Sequence, residues 1–464
     1  MNFELLGIAL YVLTILGVGI FVSRKIKTQD DYFLAGRSLG PFLATFSIFA
    51  TWFGAETCIG TAGAVYRSGL SSIHADPLGY AVCILLMGLF FSRILWRKKI
   101  TTIPDLFRER FSPNTEKLAA LIMIPSSLVW AGAQIRAFGQ ILNSTTGYGF
   151  TIAVTVAALV VIIYTIFGGL LADAYTDLIQ GFALIAGLIF LLIAVVMDLG
   201  GINSALEIIK PSSLKIFNGD LEEISLLGRL EMWSVPILGS LMAQELVSRV
   251  VASRSEKVAY QSSLRAGFLY LTIGSIPVAL GLLGHHYTSM GASESETIMP
   301  FLAKTHLNYF FYIIFIGALV SAILSTVDST LLSASALASH NLIYPYVRDL
   351  NEKKKVFIAR SGVLISGVIA FGIAFVSESI TDLVEIASSL GGPSILVLTI
   401  IALWVKKGTS LNAISAIGMS IIAWIFSHFY WELEYPVIFT VVVCAVTYFA
   451  GLPLIKRSGL ERKI

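Results

Sequence analysis

Residues 44–66 read ATFSIFATWFGAETCIGTAGAVY, an apolar stretch long enough to cross a bilayer yet interrupted at its middle by Gly54, Gly60, Gly63, several hydroxyls and the carboxylate of Glu56. A helix facing lipid must satisfy its own backbone, so glycine and polar clusters at membrane depth are informative. Residues 235–250, VPILGSLMAQELVSRV, repeat the signal: Pro236, Gly239, Gln244 and Glu245 stand where a lipid-facing helix would keep leucines. Close packing of small residues explains the three glycines nearly as well as an unwound helix does.

Composition places these stretches in a membrane. Of 464 residues, 56% are hydrophobic and only 13% charged, against roughly 25% charged in soluble domains. Mean hydropathy is +0.82, and no segment is long and polar enough for a separate soluble domain. Apolar runs of about 20 residues, the length that crosses a hydrocarbon core roughly 30 Å thick, recur along the chain. Thirteen candidate spans follow: 4–23, 41–66, 76–96, 117–142, 150–167, 175–197, 232–252, 263–284, 308–343, 356–376, 381–405, 410–429 and 435–455. The first lacks the basic flank and cleavage site of a secretory signal and is read as a retained span. The chain divides into a first span and loop (1–40), a first repeat (41–197), an inverted second repeat (232–405) and two extra spans with a tail (406–464), all one integral membrane domain.

With the N-terminus outside and the C-terminus cytoplasmic, alternate loops and the Lys456–Lys463 tail collect 26 of the 32 Lys and Arg residues, and the opposite loops hold 5. Cationic loops stay cytoplasmic, so this bias sets the orientation in the cell membrane. The net charge of +3 is its by-product, and no nucleic-acid partner is implied. Cys58, Cys83 and Cys444 lie inside apolar runs with no ligand spacing and read as small buried hydrophobes. His285, His286, His306 and His428 fall in or near outer loops without a metal pattern, and no nucleophile–base pair or phosphate loop suggests an enzyme.

Span nine carries GALVSAILSTVDSTLLSASALASHNLIY from Gly317, in which Ser321, Ser325, Ser329 and Ser333 form one polar stripe around the carboxylate of Asp328. Hydroxyl and carbonyl oxygens with a nearby carboxylate are what a hard monovalent cation needs in exchange for its water shell. Glu56, Asp177, Glu245 and Asp328 all lie at membrane depth, each costing about 2.5–3.5 kcal/mol at a helix centre, so each requires a partner or an aqueous cavity. Arg249, one turn from Glu245, is the local partner in reach. Asp76 before Pro77 and Asp382 near a helix start read as N-terminal helix acids.

These residues resemble the sodium:solute symporters. The likeness rests on DYFLAGRSLGP at Asp31, the span-two ending GTAGAVY, the turn GGLLADAYTDLIQ at Gly168 and SAILSTVDSTLLSASALASHNLIY at Ser321; ATW at Ala50, GLFF at Gly88 and IMP at Ile298 look nearest to the choline-transporter branch. It implies an all-α LeuT-type 5+5 inverted repeat with broken helices at spans two and seven, and sodium-coupled alternating access. It also implies a sodium site at the carbonyls of Ala50, Phe53 and Ala322 and the hydroxyls of Ser325 and Thr326. A second cation site follows at Asp177, Ser325, Asp328 and Ser329.

Trp52 matches an aromatic residue of the choline-binding cage, whereas Ala243 replaces the expected tryptophan, leaving half of that cation–π box. Glu56 and Glu245, one in each broken helix, are expected to face one cavity with Trp130, Gln134, Tyr66 and Gln244 as neighbours. Two carboxylates suit a cationic or zwitterionic nitrogen compound, such as a choline-like amine, an amino acid or a polyamine. A proton-coupled transporter and a transporter-like membrane sensor remain as other classes.

Overall fold

The computed structural model describes residues 3–216, 224–377 and 379–452. The Lys456–Lys463 tail and the last residues of the thirteenth expected span lie outside the described residues. Among these residues there is no β-strand, only an isolated bridge between Leu39 and Ser253. The main helices are α1 (Phe3–Ser23), α2 (Pro41–Trp52), α3 (Glu56–Ser72), α4 (His74–Lys98), α5 (Pro113–Thr146), α6 (Phe150–Asp198) and α7 (Leu226–Leu238). They continue as α8 (Gln244–Val251), α9 (Glu256–Gly284), α10 (Tyr309–Tyr346), α11 (Glu352–Ile373), α12 (Ile380–Trp404), α13 (Ser410–Phe429) and α14 (Pro436–Ala450).

Among the described residues, eight helices are long and apolar enough to span a membrane, and the bent pair α2 and α3 makes a ninth. The remaining expected spans miss that criterion for identifiable reasons. The 49 residues of α6 would run about 73 Å if straight, enough for two crossings, and Gly169 with φ +61° divides them. Pro436–Ala450 is apolar but short, span seven is interrupted between α7 and α8, and α1 has over Phe3–Ser23 the 21 residues of a first span.

The core is a helix rather than a layer. In the most apolar window of α10, 78% of residues are buried, against 33% in α11. Around α10 pack α2, α5, α6 and α8. Large apolar side chains that remain exposed, among them Phe21, Leu89, Phe268, Ile365 and Val446, suit a surface solvated by lipid rather than water.

Both expected breaks are present. α2 and α3 meet at 59° across Phe53–Ala55. α7 ends at Gly239, and helix resumes only at Gln244. The start of α2 joins the end of α8 through Leu39 N–H to the Ala252 carbonyl (3.1 Å) and Arg254 N–H to the Leu39 carbonyl (2.9 Å), so the two interrupted helices are neighbours.

The second break is wedged against a third, where Gly391 (φ +81°) splits α12. A Cβ on Gly392 would lie 1.9 Å from the Gly239 carbonyl oxygen, and one on Gly239 2.2 Å from the Ser388 carbonyl oxygen. Backbone faces backbone at this point, and neither side can yield as a side chain would. Gly392→Ala is expected to destabilise the fold by at least about 3 kcal/mol, the upper end of overpacking costs, read as loss of thermal stability of detergent-purified protein.

Candidate cation and solute sites

At the break in span two the backbone ladder stops with Phe53 N–H on the Phe49 carbonyl (3.0 Å) and restarts with Cys58 N–H on the Gly54 carbonyl (3.1 Å). Ala55 N–H turns instead to Gln134 Oε1 at 3.0 Å, and the Trp52 carbonyl accepts from the Tyr270 hydroxyl at 3.3 Å. A Cβ on Gly54 would meet Thr326 Oγ1 at 2.8 Å and Glu56 Oε2 at 2.6 Å, so only glycine lets the broken backbone come this close to α10.

Across this gap Thr326 donates its hydroxyl proton to the Ala322 carbonyl (3.1 Å), and Ser325 donates to Asp177 Oδ1. With those protons committed, both hydroxyl oxygens keep lone pairs for another partner. Neutral oxygens from hydroxyls and interrupted backbone, next to a buried carboxylate, fit a hard monovalent cation such as sodium. Phe53 stands at the span-two break and Ala50 on the turn before it, while Ala322, Ser325 and Thr326 lie on α10, where Thr326 is the residue close to Gly54.

One turn further along α10, the second predicted site holds more than its four named residues. Asp177 accepts from Ser325 and, at 2.6 Å, from Ser47. Ser329 donates to the Ser325 carbonyl (2.6 Å) and lies 3.4 Å from Thr51 Oγ1. Between them lies Arg249, 1% exposed, whose Nη2 contacts Asp173 and the Ser329 hydroxyl and stands 3.9 Å from Asp177 Oδ2.

Asp328 interacts electrostatically with Asp173, Asp177 and Arg249. Arg249 is therefore not the partner of the Glu245 carboxylate and not a loop cation: it gives Nη1 to the Glu245 backbone carbonyl (3.1 Å) and its charge to α6. Glu245 is held by Ser127 Oγ at 2.5 Å.

The solute side also differs from expectation. Glu56 and Glu245 do not share a cavity. Glu56 lines one of ≈ 600 Å³ that includes Asp76, Tyr80 and Glu231 and reaches a rim with exposed Glu385 and Glu434. Glu245 lines a separate pocket of ≈ 40 Å³ with Ser127, Trp130 and Gln244. Trp130 is the wall between them, donating to Glu56 Oε1 at 3.2 Å while Gln134 donates to Glu56 Oε2 at 2.6 Å. Trp52 lies behind that wall, its ring 5.0 Å from Trp130 and 5.4 Å from Tyr80.

Tyr66 is elsewhere, stacked on His285 and bonded to the Thr288 carbonyl (2.9 Å). Gln244 has its amide committed to Ile103 N–H (3.0 Å) and the Thr101 carbonyl (3.1 Å). Asp76 lies in the first turn of α4, as its place before Pro77 suggests, and its carboxylate is on the large cavity, tied to Thr57 (2.7 Å) and Tyr270 (3.1 Å).

Two interrupted helices beside a buried oxygen-lined niche, with a surface-reaching cavity ending on one of them, define a secondary transporter. The described architecture matches a Na⁺-coupled sialic acid symporter in a substrate-bound outward-open state, with TM-score 0.85 and 19% identity over 97% of each chain. A nucleobase-cation-symport-1 family transporter matches at TM-score 0.62 and 13% identity, over 92% of this chain and 94% of that one. The fold is accordingly the LeuT type.

The chain belongs to the sodium:solute symporter family, whose model matches residues 32–420. It is 26% identical to the human high affinity choline transporter 1 over 89% of this chain and 74% of that protein. It is 27% identical to the sodium/proline symporter of Escherichia coli (strain K12), over 94% and 89%. The protein is a multi-pass membrane transporter, not an enzyme, and couples sodium to a small solute.

Proposed function

We propose that the protein imports a cationic or zwitterionic nitrogen compound across the cell membrane, with sodium held by Ala50, Phe53, Ala322, Ser325 and Thr326 and a second cation by Asp177, Ser325, Asp328 and Ser329. The observation that carries the solute class is the lining of the large cavity: Glu56, Asp76, Glu231, Glu385 and Glu434 are on it, and no Lys or Arg is among its described lining residues. Such a lining concentrates cations and repels carboxylates. Glu56 sits at its inner end, aimed by Trp130 and Gln134, with Tyr80 offering an aromatic face and Trp52 backing it. Tyr66, Gln244 and Glu245 shape the surrounding helices rather than this cavity. The choline and proline carried by the named relatives both bear a positively charged nitrogen, which agrees with this reading.

The topology we propose has thirteen spans with the N-terminus outside, 41–197 and 232–405 as inverted repeats, and 406–464 as an addition. In this orientation the rim at Glu385 and Glu434 faces outward. Each inward sodium supplies about 2.3 kcal/mol per 100 mV and roughly 1.4 kcal/mol per tenfold gradient, so one ion sustains several-hundredfold accumulation of a neutral solute. Bound at the α2–α3 break, sodium ties that break to α10 and favours the state in which Glu56 is open to the outer cavity.

A thermal-shift screen of purified protein against amines, amino acids, sugars and carboxylates, with and without sodium, tests this. Ligands that bind the native state raise its apparent stability, so amines or zwitterions are expected to do so only with sodium present. Stabilisation by carboxylates or sugars alone would reject the solute class.

A further inference from the structure

We propose that Arg249 is a tethered competitor for the second cation, and that the ion entering beside Asp177 drives the guanidinium off Ser329, linking cation occupancy to the half of span seven beyond its break. This inference rests on the second cation site described above. Three observations support it.

Arg249 already occupies part of that site: its Nη2 contacts the Ser329 hydroxyl, one of the oxygens the ion requires. A hydroxyl oxygen that accepts from a guanidinium cannot at the same time turn that lone pair to a metal ion. Both cations therefore contend for one atom.

The guanidinium also has somewhere to go. Among the described residues, Arg249 Nε is buried without a hydrogen-bond partner, and the buried Asp173 Oδ1 and Asp328 Oδ1 have none outside the contact between these two carboxyl groups. An unpaired donor beside a carboxyl pair is costly in a dry interior and marks a second arrangement in which the guanidinium satisfies that pair. One guanidinium faces three carboxyl groups, so the cluster has room for a further cation.

The position of Arg249 then makes the exchange consequential. It lies on α8, the part of span seven beyond the break, and its other arm grips the Glu245 carbonyl at that helix's first turn. Shifting the guanidinium between Ser329 and Asp328 pulls on α8 relative to α6 and α10. Because Glu245, Gln244 and Ala243 line the small pocket behind Trp130, the pull reaches the wall on which Glu56 is held.

The test is equilibrium binding of radioactive sodium to purified protein, which counts ions and gives their midpoints. Removing Arg249 alone would strand buried carboxylates and risk the fold. The decisive variant is therefore Arg249→Gln combined with Asp173→Asn, which removes the competitor while leaving the cluster's net charge unchanged. Its second sodium midpoint is expected to fall by at least about tenfold, the equivalent of one charge-assisted hydrogen bond, and sodium is expected to lose much of its effect on solute affinity. Arg249→Lys, a shorter reach with the same charge, is expected to fall between.

A merely structural role would weaken sodium binding or leave it alone, not tighten it. Asp177→Asn in the otherwise native chain reads the site itself and is expected to remove one bound sodium. If it does so while the double variant's midpoint stays within twofold of native, the Arg249 inference is overturned and the second site stands. If Asp177→Asn leaves the sodium count unchanged, both are overturned.

Discussion

Thr326→Ala is expected to raise the sodium concentration needed for half-maximal uptake by between about ten- and a hundredfold, the usual cost of disturbing one group of a metal site. The hydroxyl is the α10 oxygen that the Gly54 backbone approaches most closely, and its proton is already given to the Ala322 carbonyl. Deleting it removes an acceptor from the niche and leaves the rest of α10 in place. Thr326→Ser keeps the oxygen and is expected to stay near the native sodium dependence. Uptake measured against external sodium in the three proteins decides the matter: equal midpoints in native and Thr326→Ala would remove this threonine from the site. Solute affinity extrapolated to saturating sodium is expected to be close to native, because the lesion acts on the ion and only through it on the cavity.

The second large effect falls on Glu56. Glu56→Gln preserves shape but deletes the charge at the inner end of the cavity. Its new amide also presents N–H groups where Trp130 Nε1 and Gln134 Nε2 already donate. Affinity for a cationic amine is expected to drop by on the order of a hundredfold or more, in line with the loss of one partner of a buried charged contact. Glu245→Gln, in the separate small pocket and held by Ser127, is expected to change amine affinity far less. Competition binding by several amines to both variants gives the comparison, and equal losses would return the two carboxylates to one shared site.

That contrast also shows where sequence reading reached its limit. Breaks in spans two and seven were legible because glycine, proline and carboxylates at membrane depth have few explanations, and the structure interrupts the helices at Phe53–Ala55 and Gly239–Ala243. The hydroxyl ladder of span nine was legible for the same reason, since Ser321, Ser325, Ser329 and Ser333 recur every four residues along one helix and so share a face.

What was not legible depends on contacts between distant stretches. Glu56 and Glu245 hold matching places in their own helices, yet Trp130 on α5 separates them, and no local pattern announces a wall contributed by a third element. Arg249 lies one turn after Glu245 and reads as its local partner, while its burial and its contacts come from Asp173 on α6 and Ser329 on α10. Asp173 was hidden in the same way, four residues before Asp177 on the same face of α6. Asp76 precedes a proline and lies in the first turn of α4, as that pattern suggests; only its bonds to Thr57 and Tyr270 add that it faces the cavity.

The account's central claim is that sodium bound between the span-two break and α10 drives entry of a positively charged nitrogen compound into the Glu56 cavity. Its most direct test is initial uptake of a labelled amine, one that stabilises the purified protein, into vesicles reconstituted with that protein under an imposed inward sodium gradient. Uptake is predicted to rise with sodium, to exceed equilibrium while the gradient lasts, and to fall sharply in Thr326→Ala and Glu56→Gln. Uptake that proceeds equally when potassium replaces sodium, or that survives both substitutions unchanged, would contradict it.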